Sequence, residues 1–279
     1  MTQLPRPSLA DHVECIDYQS ASRTPGAPPT RILPTGTMDL VFHFGDPFVR
    51  YGENGQVTPE PTLCLTGQRT RPVEVAATGR TGVIVVRLKP WTLGTFTNES
   101  AAAFNDRATC LASVFPPDWC RRVEDTLDAA KNPAARIGAI EDALERLIDG
   151  RATDLLVTGA LKRLYSASDM PGALELAQAL GLSKRQLDRR FGRVTGLSIK
   201  QFSRVLRFQR ALGANAVQSE ADRAAAAGYW DQSHMIRDFQ QFTGLTPRRV
   251  VERRGRSPLT RHYARPANMS RFYNTLYLH

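Results

Sequence analysis

The sequence predicts an α+β chain of two domains: a small β-sandwich or barrel with flanking helices, then an all-α domain of two helix-turn-helix units. Three observations predict it. Apolar residues recur with the period of strands between Arg31 and Leu88, and with the period of helices from Asp154 to Pro247. Within the helical stretch one segment is present twice. Ala179-Leu-Gly-Leu-Ser-Lys-Arg-Gln-Leu-Asp-Arg-Arg-Phe191 returns, degraded, as Ala227-Gly-Tyr-Trp-Asp-Gln-Ser-His-Met-Ile-Arg-Asp-Phe239. Both copies run on through the same corner, Thr195-Gly196-Leu197 in the first and Thr243-Gly244-Leu245 in the second.

Residues 1–30 are Pro-rich and weakly patterned, and read as an irregular lead-in. Thr37 to Phe44 alternate apolar and polar residues, as a half-buried strand does. Gly45-Asp-Pro47 closes that strand, and Gly52-Glu-Asn-Gly55 marks a hairpin. Runs over 62–68, 72–78 and 82–88, rich in Val, Ile and Leu, supply further short strands, the spacing expected of a small sandwich or barrel. After Pro90 the period changes. Helices are expected over 117–130 and 133–149, each opening on a proline suited to the first helical turn. In the second, Ile137, Ile140, Leu144, Leu147 and Ile148 form one apolar stripe, which fits packing inside a subunit and a homodimer contact equally well. Gly150 to Thr153 is the expected boundary, dividing the chain into 1–150, 151–253 and a basic, aromatic tail over 254–279.

Beyond the boundary, helices are expected over 154–166, 172–179, 184–194, 199–213, 220–227 and 232–242, with another starting at Pro247. On the helix that Ser183 caps, Leu187, Phe191 and Val194 fall on one side and Arg185, Asp188, Arg189 and Gly192 on the other. The latter face suits a DNA groove, with long hydrogen-bonding side chains and nothing bulky to hold the helix axis away. An arginine takes both acceptors of a guanine edge, and Asp188 either accepts from a cytosine amino group or pairs with Arg185 or Lys184. In the second copy Met235, Phe239 and Phe242 bury, while Ser233, Ile236, Arg237 and Gln240 face outward with Gln232 and His234 beside them. Glutamine suits adenine and an exposed Ile236 suits a thymine methyl; His234 fits base contact and a structural place beside the turn equally. The connecting helix, 199–213, spans roughly 22 Å. Its Lys200, Arg204, Arg207 and Arg210, with Arg193, Arg248 and Arg249, are candidates for phosphate contact.

Charge follows the same division. Residues 1–150 hold 15 Lys/Arg against 18 Asp/Glu, and residues 151–279 hold 22 against 9. A polyanion is therefore expected to meet the second half alone. The four cysteines, Cys15, Cys64, Cys110 and Cys120, lack metal-ligand spacing and read as small core residues in a reducing compartment. No leader pattern or membrane-length apolar run is visible, so a soluble, cytoplasmic chain with no membrane partner is expected.

The runs Leu182-Ser183-x-Arg185-x-Leu187-x-Arg189-x-Phe191 and Gly228-Tyr229-x-Asp231-Gln232-Ser233-His234, with Phe239-x4-Gly244-x-Thr246-Pro247, resemble the two units of AraC/XylS-type transcription regulators over residues 154–252. The resemblance implies two recognition helices in adjacent major grooves of double-stranded DNA. The base-reading residues it implies are Arg185, Asp188 and Arg189, then Gln232, Ser233, His234 and Arg237. Phosphate contacts fall to Lys184, Arg193, Lys200, Arg248 and Arg249. RNA polymerase is a further partner implied. Two departures stand out: Ala224-Ala225, where the family places a larger aliphatic residue first, and the additional aromatic Trp230. The first half, through Arg31-Ile-Leu-Pro34-x-Gly36-x-x-Asp39-Leu40 and Phe44-Gly45-Asp46-Pro47, resembles the small β domains that precede this module. That implies a sensory or dimerisation role, with a small-molecule effector or a second copy as partner.

Catalysis is not expected. His43, Asp39 and Asp46 form neither an HxH pair nor a carboxylate pair, His43 reads as a surface or partly buried structural residue, and no phosphate loop or nucleophile elbow is present. No metal or cofactor is implied. An enzyme or carrier built on the β domain would copurify with a metal or ligand, and an architectural binder would need mainly Lys and Arg on its outward faces.

Overall fold

Alternation of side chains along the first ninety residues builds two facing antiparallel sheets. The computed structural model describes residues 1–22, 28–52, 54–148, 153–167, 169–213, 219–254 and 277–278. The strands are β1 (Thr2–Gln3), β2 (Val13–Ser22), β3 (Thr30–Ile32), β4 (Met38–His43), β5 (Phe48–Tyr51), β6 (Val57–Pro59), β7 (Leu63–Thr66), β8 (Val73–Ala77), β9 (Arg80–Leu88), β10 (Ala108–Cys110) and β11 (Tyr277–Leu278). One sheet has the order β1-β2-β9-β4-β7-β10, the other β11-β3-β8-β5-β6. The hairpin expected at 52–55 joins β5 to β6.

Each face of β4 has its own partner. Met38, Leu40 and Phe42 point with Leu65, Ile84 and Val86 into a core covered by helices α2 (Pro117–Ala129) and α3 (Pro133–Glu145). Val41 packs with Cys64 and Val83 in a small cluster on the strand's other face. Every residue of β4 is buried, so the expected half-buried strand is corrected: its alternating polar residues do not face water. Asp39 accepts from Arg69 Nη1 and Arg87 Nε, both at 3.3 Å. His43, expected at the surface or partly buried, is buried with Nε2 3.7 Å from Glu60, which also binds Arg50 at 3.0 Å. Burial works against ionisation of Glu60, but His43 and Arg50 outweigh it and hold the carboxyl below its usual range.

Two other expectations change. The lead-in is not irregular: β2 is a ten-residue strand paired along β9, with a bulge between Val13 and Cys15. Cys15, Cys64 and Cys120 are buried, as core residues are, but Cys110 is exposed. Burial pushes the Cys15 thiol up to about 12. The apolar stripe of α3 packs inside the subunit, with Ile137, Ile140 and Leu144 in the β domain's core. The boundary expected at Gly150 and nearly all of the 254–279 tail lie outside the described residues. No helix among the described residues is long and apolar enough to cross a membrane.

The second core belongs to helices. After the short α1 (Leu93–Phe96) come α4 (Leu155–Ser166), α5 (Ala173–Ala179), α6 (Lys184–Thr195), α7 (Ile199–Gly213), α8 (Glu220–Ala226), α9 (Gln232–Thr243) and α10 (Pro247–Arg254). Leu161, Leu187, Phe191, Phe202, Leu206, Phe208 and Phe239 lie in one cluster with α7 at its centre. Asp154 ties α4 to α6: its carboxylate caps Leu156 and Val157 and binds Arg190 at 2.8 and 2.9 Å. Burial opposes its charge, but the Arg190 guanidinium and the two amides hold the Asp154 carboxyl below its usual value. A depressed acid contributes stability above the ordinary carboxylate range and loses it as pH falls through the folded value. Asp154→Ala is therefore expected to cost about 1–2 kcal/mol near neutral pH. In thermal unfolding against pH, its gap from the parent should close in acid.

Candidate nucleic-acid interface

Each unit is built by a short helix, a glycine turn and a capped second helix. In the first, α5 ends at Leu180, Gly181 turns with φ +67, and Ser183 with Gln186 closes a capping box on α6. In the second, Gly228 turns with φ +79 and Asp231 accepts from the His234 amide at 2.6 Å. The duplication is not in one frame. Leu182 N donates to Ala177 O and Tyr229 N to Ala224 O, each at 2.9 Å, which places the turns 47 residues apart. The N-caps, Ser183 and Asp231, and the corners, Gly196 and Gly244, are 48 apart. The extra residue is Trp230, 94% exposed and immediately before the second cap. Ala224, the small residue noted above, is buried, while Ala225 is exposed.

The expected inward faces are inward. Leu187 and Phe191 are buried and Val194 half-buried in the first unit, and Met235, Phe239 and Phe242 are buried in the second. Outward on α6, Lys184, Arg185, Arg189 and Arg193 are exposed and Asp188 half-buried. Among the described residues no hydrogen bond or ion pair joins Asp188 to Arg185 or Lys184. A concavity of about 1160 Å³ opens along this face, lined by Ser183, Lys184, Arg185, Gln186, Asp188 and Arg189.

On α9, Gln232, Ser233, Arg237 and Gln240 are exposed and Ile236 half-buried. Gln232 donates to Glu220 at 2.5 Å and Arg237 Nε to the Ser233 carbonyl at 3.3 Å, so both rest on protein atoms in the free chain. His234 is half-buried edge-on to Tyr229, with ring centroids 5.2 Å apart. Lys200, Arg248 and Arg249 are exposed, Arg248 in an i,i+4 pair with Glu252. The structure therefore brings the named residues to the outward sides of the two units.

The other basic residues of α7 are half-buried and engaged within the protein. Arg204 binds Asp238 at 2.6 Å and Gln241 at 2.6 Å, and its guanidinium lies 5.4 Å from the Phe242 ring centre. Arg207 lies 5.7 Å from the Tyr229 ring centre. Burial pulls its pKa below the ordinary value, with Tyr229 and Asp238 opposing. Arg210 donates to the Leu164 and Tyr165 carbonyls. These arginines cement α7 to both units.

Sequence reasoning also missed contacts from the β domain. Asn105 Nδ2 donates to Gly196 O at 2.6 Å, Arg31 Nη1 to Thr243 O at 2.8 Å and Gln209 Nε2 to Pro34 O at 2.5 Å. Leu33 is buried in the helical core. Pairings this distant in sequence leave no periodic signal.

Residues 176–253 match a family described as a helix-turn-helix domain, and residues 1–109 match a domain of unknown function, DUF6597. No curated protein matches the sequence. Among solved structures, the chain is similar to ToxT from Vibrio cholerae, at 8% identity and TM-score 0.48 over 85% of this chain and 98% of that one. It is similar to an AraC-type transcriptional regulator from Chromobacterium violaceum, at 24% identity and TM-score 0.33 over 37% of this chain and 94% of that one. It is also similar to a DNA-binding transcriptional dual regulator from Escherichia coli K-12, at 25% identity and TM-score 0.29 over 35% and 86%. Both helix-turn-helix units, folded around the shared linker α7, lie almost wholly within the matched segment, so residues 176–253 form a helix-turn-helix domain.

Proposed function

We propose that one chain reads an asymmetric duplex site, with α6 in one major groove and α9 in the next. The observation that carries this reading is the pair of unlike outward faces, Arg185 and Arg189 with half-buried Asp188 on α6 against Gln232, Ser233 and Arg237 with half-buried His234 on α9. Arginine favours guanine edges and glutamine adenine, so the two boxes should differ in sequence. Lys184, Arg193, Lys200, Arg248 and Arg249 would hold phosphates and supply the salt-dependent part of affinity. In this reading residues 151–253 are the DNA-binding domain and residues 1–150 the sensory one, in a cytoplasmic protein that addresses RNA polymerase from its site. A small-molecule effector is supported by Gln68 in the β domain, whose buried side-chain amide has no hydrogen-bond partner among the described residues. A homodimer would need a surface other than the α3 stripe, which is buried inside the subunit.

The test compares two variants on a duplex that the full chain selects from a pool with a randomised core. Arg189→Ala is expected to cost about 1–3 kcal/mol on that duplex and relax specificity at one base pair. Lys200→Ala should weaken selected and scrambled duplexes alike and reduce the salt slope by about 1. Fluorescence anisotropy titrations at several salt concentrations separate the two patterns, and identical behaviour of the variants would remove the assignment of roles.

A further inference from the structure

The contacts from the β domain fall on the duplicated corner of both units. In each unit the corner is tied to the recognition helix that precedes it. Thr195 Oγ1 donates to Phe191 O at 2.8 Å and accepts from Leu197 N at 3.2 Å; Thr243 Oγ1 donates to Phe239 O at 2.7 Å and accepts from Leu245 N at 2.9 Å. A grip on the corner is therefore a grip on the recognition helix. Asn105 takes the first corner through Gly196 O. Gly196 has φ +84, and a Cβ there would lie 2.5 Å from Asn105 Oδ1 and 3.2 Å from Ala101 O, so this approach needs glycine. Arg31 takes the second corner through Thr243 O, and a Cβ on Gly244 would lie 3.1 Å from its Nη1.

Both gripping residues are themselves held. Arg31 Nε donates to Glu74 Oε1 at 3.0 Å. Asn105 precedes Asp106, which has φ +57 and whose carboxylate accepts from Thr70 N at 2.8 Å and Thr70 Oγ1 at 2.7 Å. Between the two corners, Pro34 O accepts from Gln209 of α7, and Gly36 lies against Val205 and Phe202. The β domain thus touches both corners and the linker.

We propose that Asn105 and Arg31 are positioning residues for DNA recognition: by holding the same corner of both units they fix the placement of α6 relative to α9, and with it the number of base pairs allowed between the two boxes. This rests on the two-groove reading above. Two units joined by a single helix can rock about their joints; pinning both to a third body removes that freedom. One base pair inserted or deleted moves a box by about 3.4 Å and turns it by about 35°, so a rigid pair of helices meets only one spacing well.

The experiment uses the full chain and the duplex it selects from the randomised pool, together with derivatives having one base pair added or removed between the boxes. The parent is expected to lose about 100-fold in affinity on either derivative, the worth of one or two bidentate base contacts. The double variant Asn105→Ala/Arg31→Gln should lose less than about tenfold on the derivatives and bind the original duplex within about threefold of the parent, because no base-reading residue is altered. The single variants, followed by thermal unfolding, show whether the fold survives, and each should relax the discrimination part way. If folded variants discriminate spacing as strongly as the parent, or if the parent itself accepts all three spacings, the positioning role is overturned. If the parent selects no duplex, the two-groove reading fails and the proposal with it, a result distinct from selection without spacing discrimination.

Discussion

Phe208→Ala is expected to destabilise the protein by about 3–5 kcal/mol, the usual cost of removing a large aromatic ring from a core that cannot collapse around the gap. Phe208 is fully buried on α7 and meets Phe239 edge-on at 5.0 Å and Phe242 at 5.1 Å between ring centres. It is the hinge pin between α7 and α9. The first unit has its own equivalent in Phe202, edge-on to Phe191 at 5.5 Å, so the loss should fall mainly on the second unit. Chemical denaturation of the full chain measures the effect, with Arg237→Ala as control; that exposed side chain should stay within about 0.5 kcal/mol of the parent. A Phe208 variant as stable as the control would mean that α9 does not dock on α7 as described.

The second large effect is expected from Asp238→Ala, at about 2–3 kcal/mol, because it leaves the half-buried Arg204 guanidinium without its carboxylate. Asp238 is 1% exposed and accepts from Arg204 Nε at 3.0 Å and Nη2 at 2.6 Å. Arg207 and Tyr229 are held nearby, and the phenol is pushed well above its ordinary range by burial first and Asp238 second. The pair is an internal tie between α7 and α9, not a surface ornament, and high salt should screen little of it. Asp238→Asn keeps the shape and one acceptor and should lose less than the alanine variant. Equal losses for the two would show that volume, not charge, sets the cost.

Much of this molecule was legible in local pattern. Helix limits, caps and inward faces follow from 3.6-residue periodicity and from Ser183, Asp231 and the glycines, because those signals are contained within one element. The misreadings share a different cause. Asp39 and His43 alternate with apolar residues and so read as a wet face, but β4 is covered on both sides. The bulge between Val13 and Cys15 breaks the alternation that would have revealed β2. Arg204, Arg207 and Arg210 read as phosphate-contact candidates from their charge alone, whereas α7 is packed between two units and each is half-buried there. A constant offset of 48 between the copies hides Trp230 as an added residue; only the turn hydrogen bonds show that the frame shifts. The grip of Asn105 and Arg31 on the two corners joins residues 91 and 212 positions apart and is invisible to any local reading.

One chain with two unlike reading surfaces should need no second copy to select its site. Selection of bound duplexes from a randomised pool by the full-length protein, with the number of chains per selected duplex determined, tests it most directly. The expected result is one chain on a site with two dissimilar boxes whose centres lie one helical turn, ~34 Å, apart. No enriched sequence, or an inverted repeat of a single box bound by two chains, would contradict it.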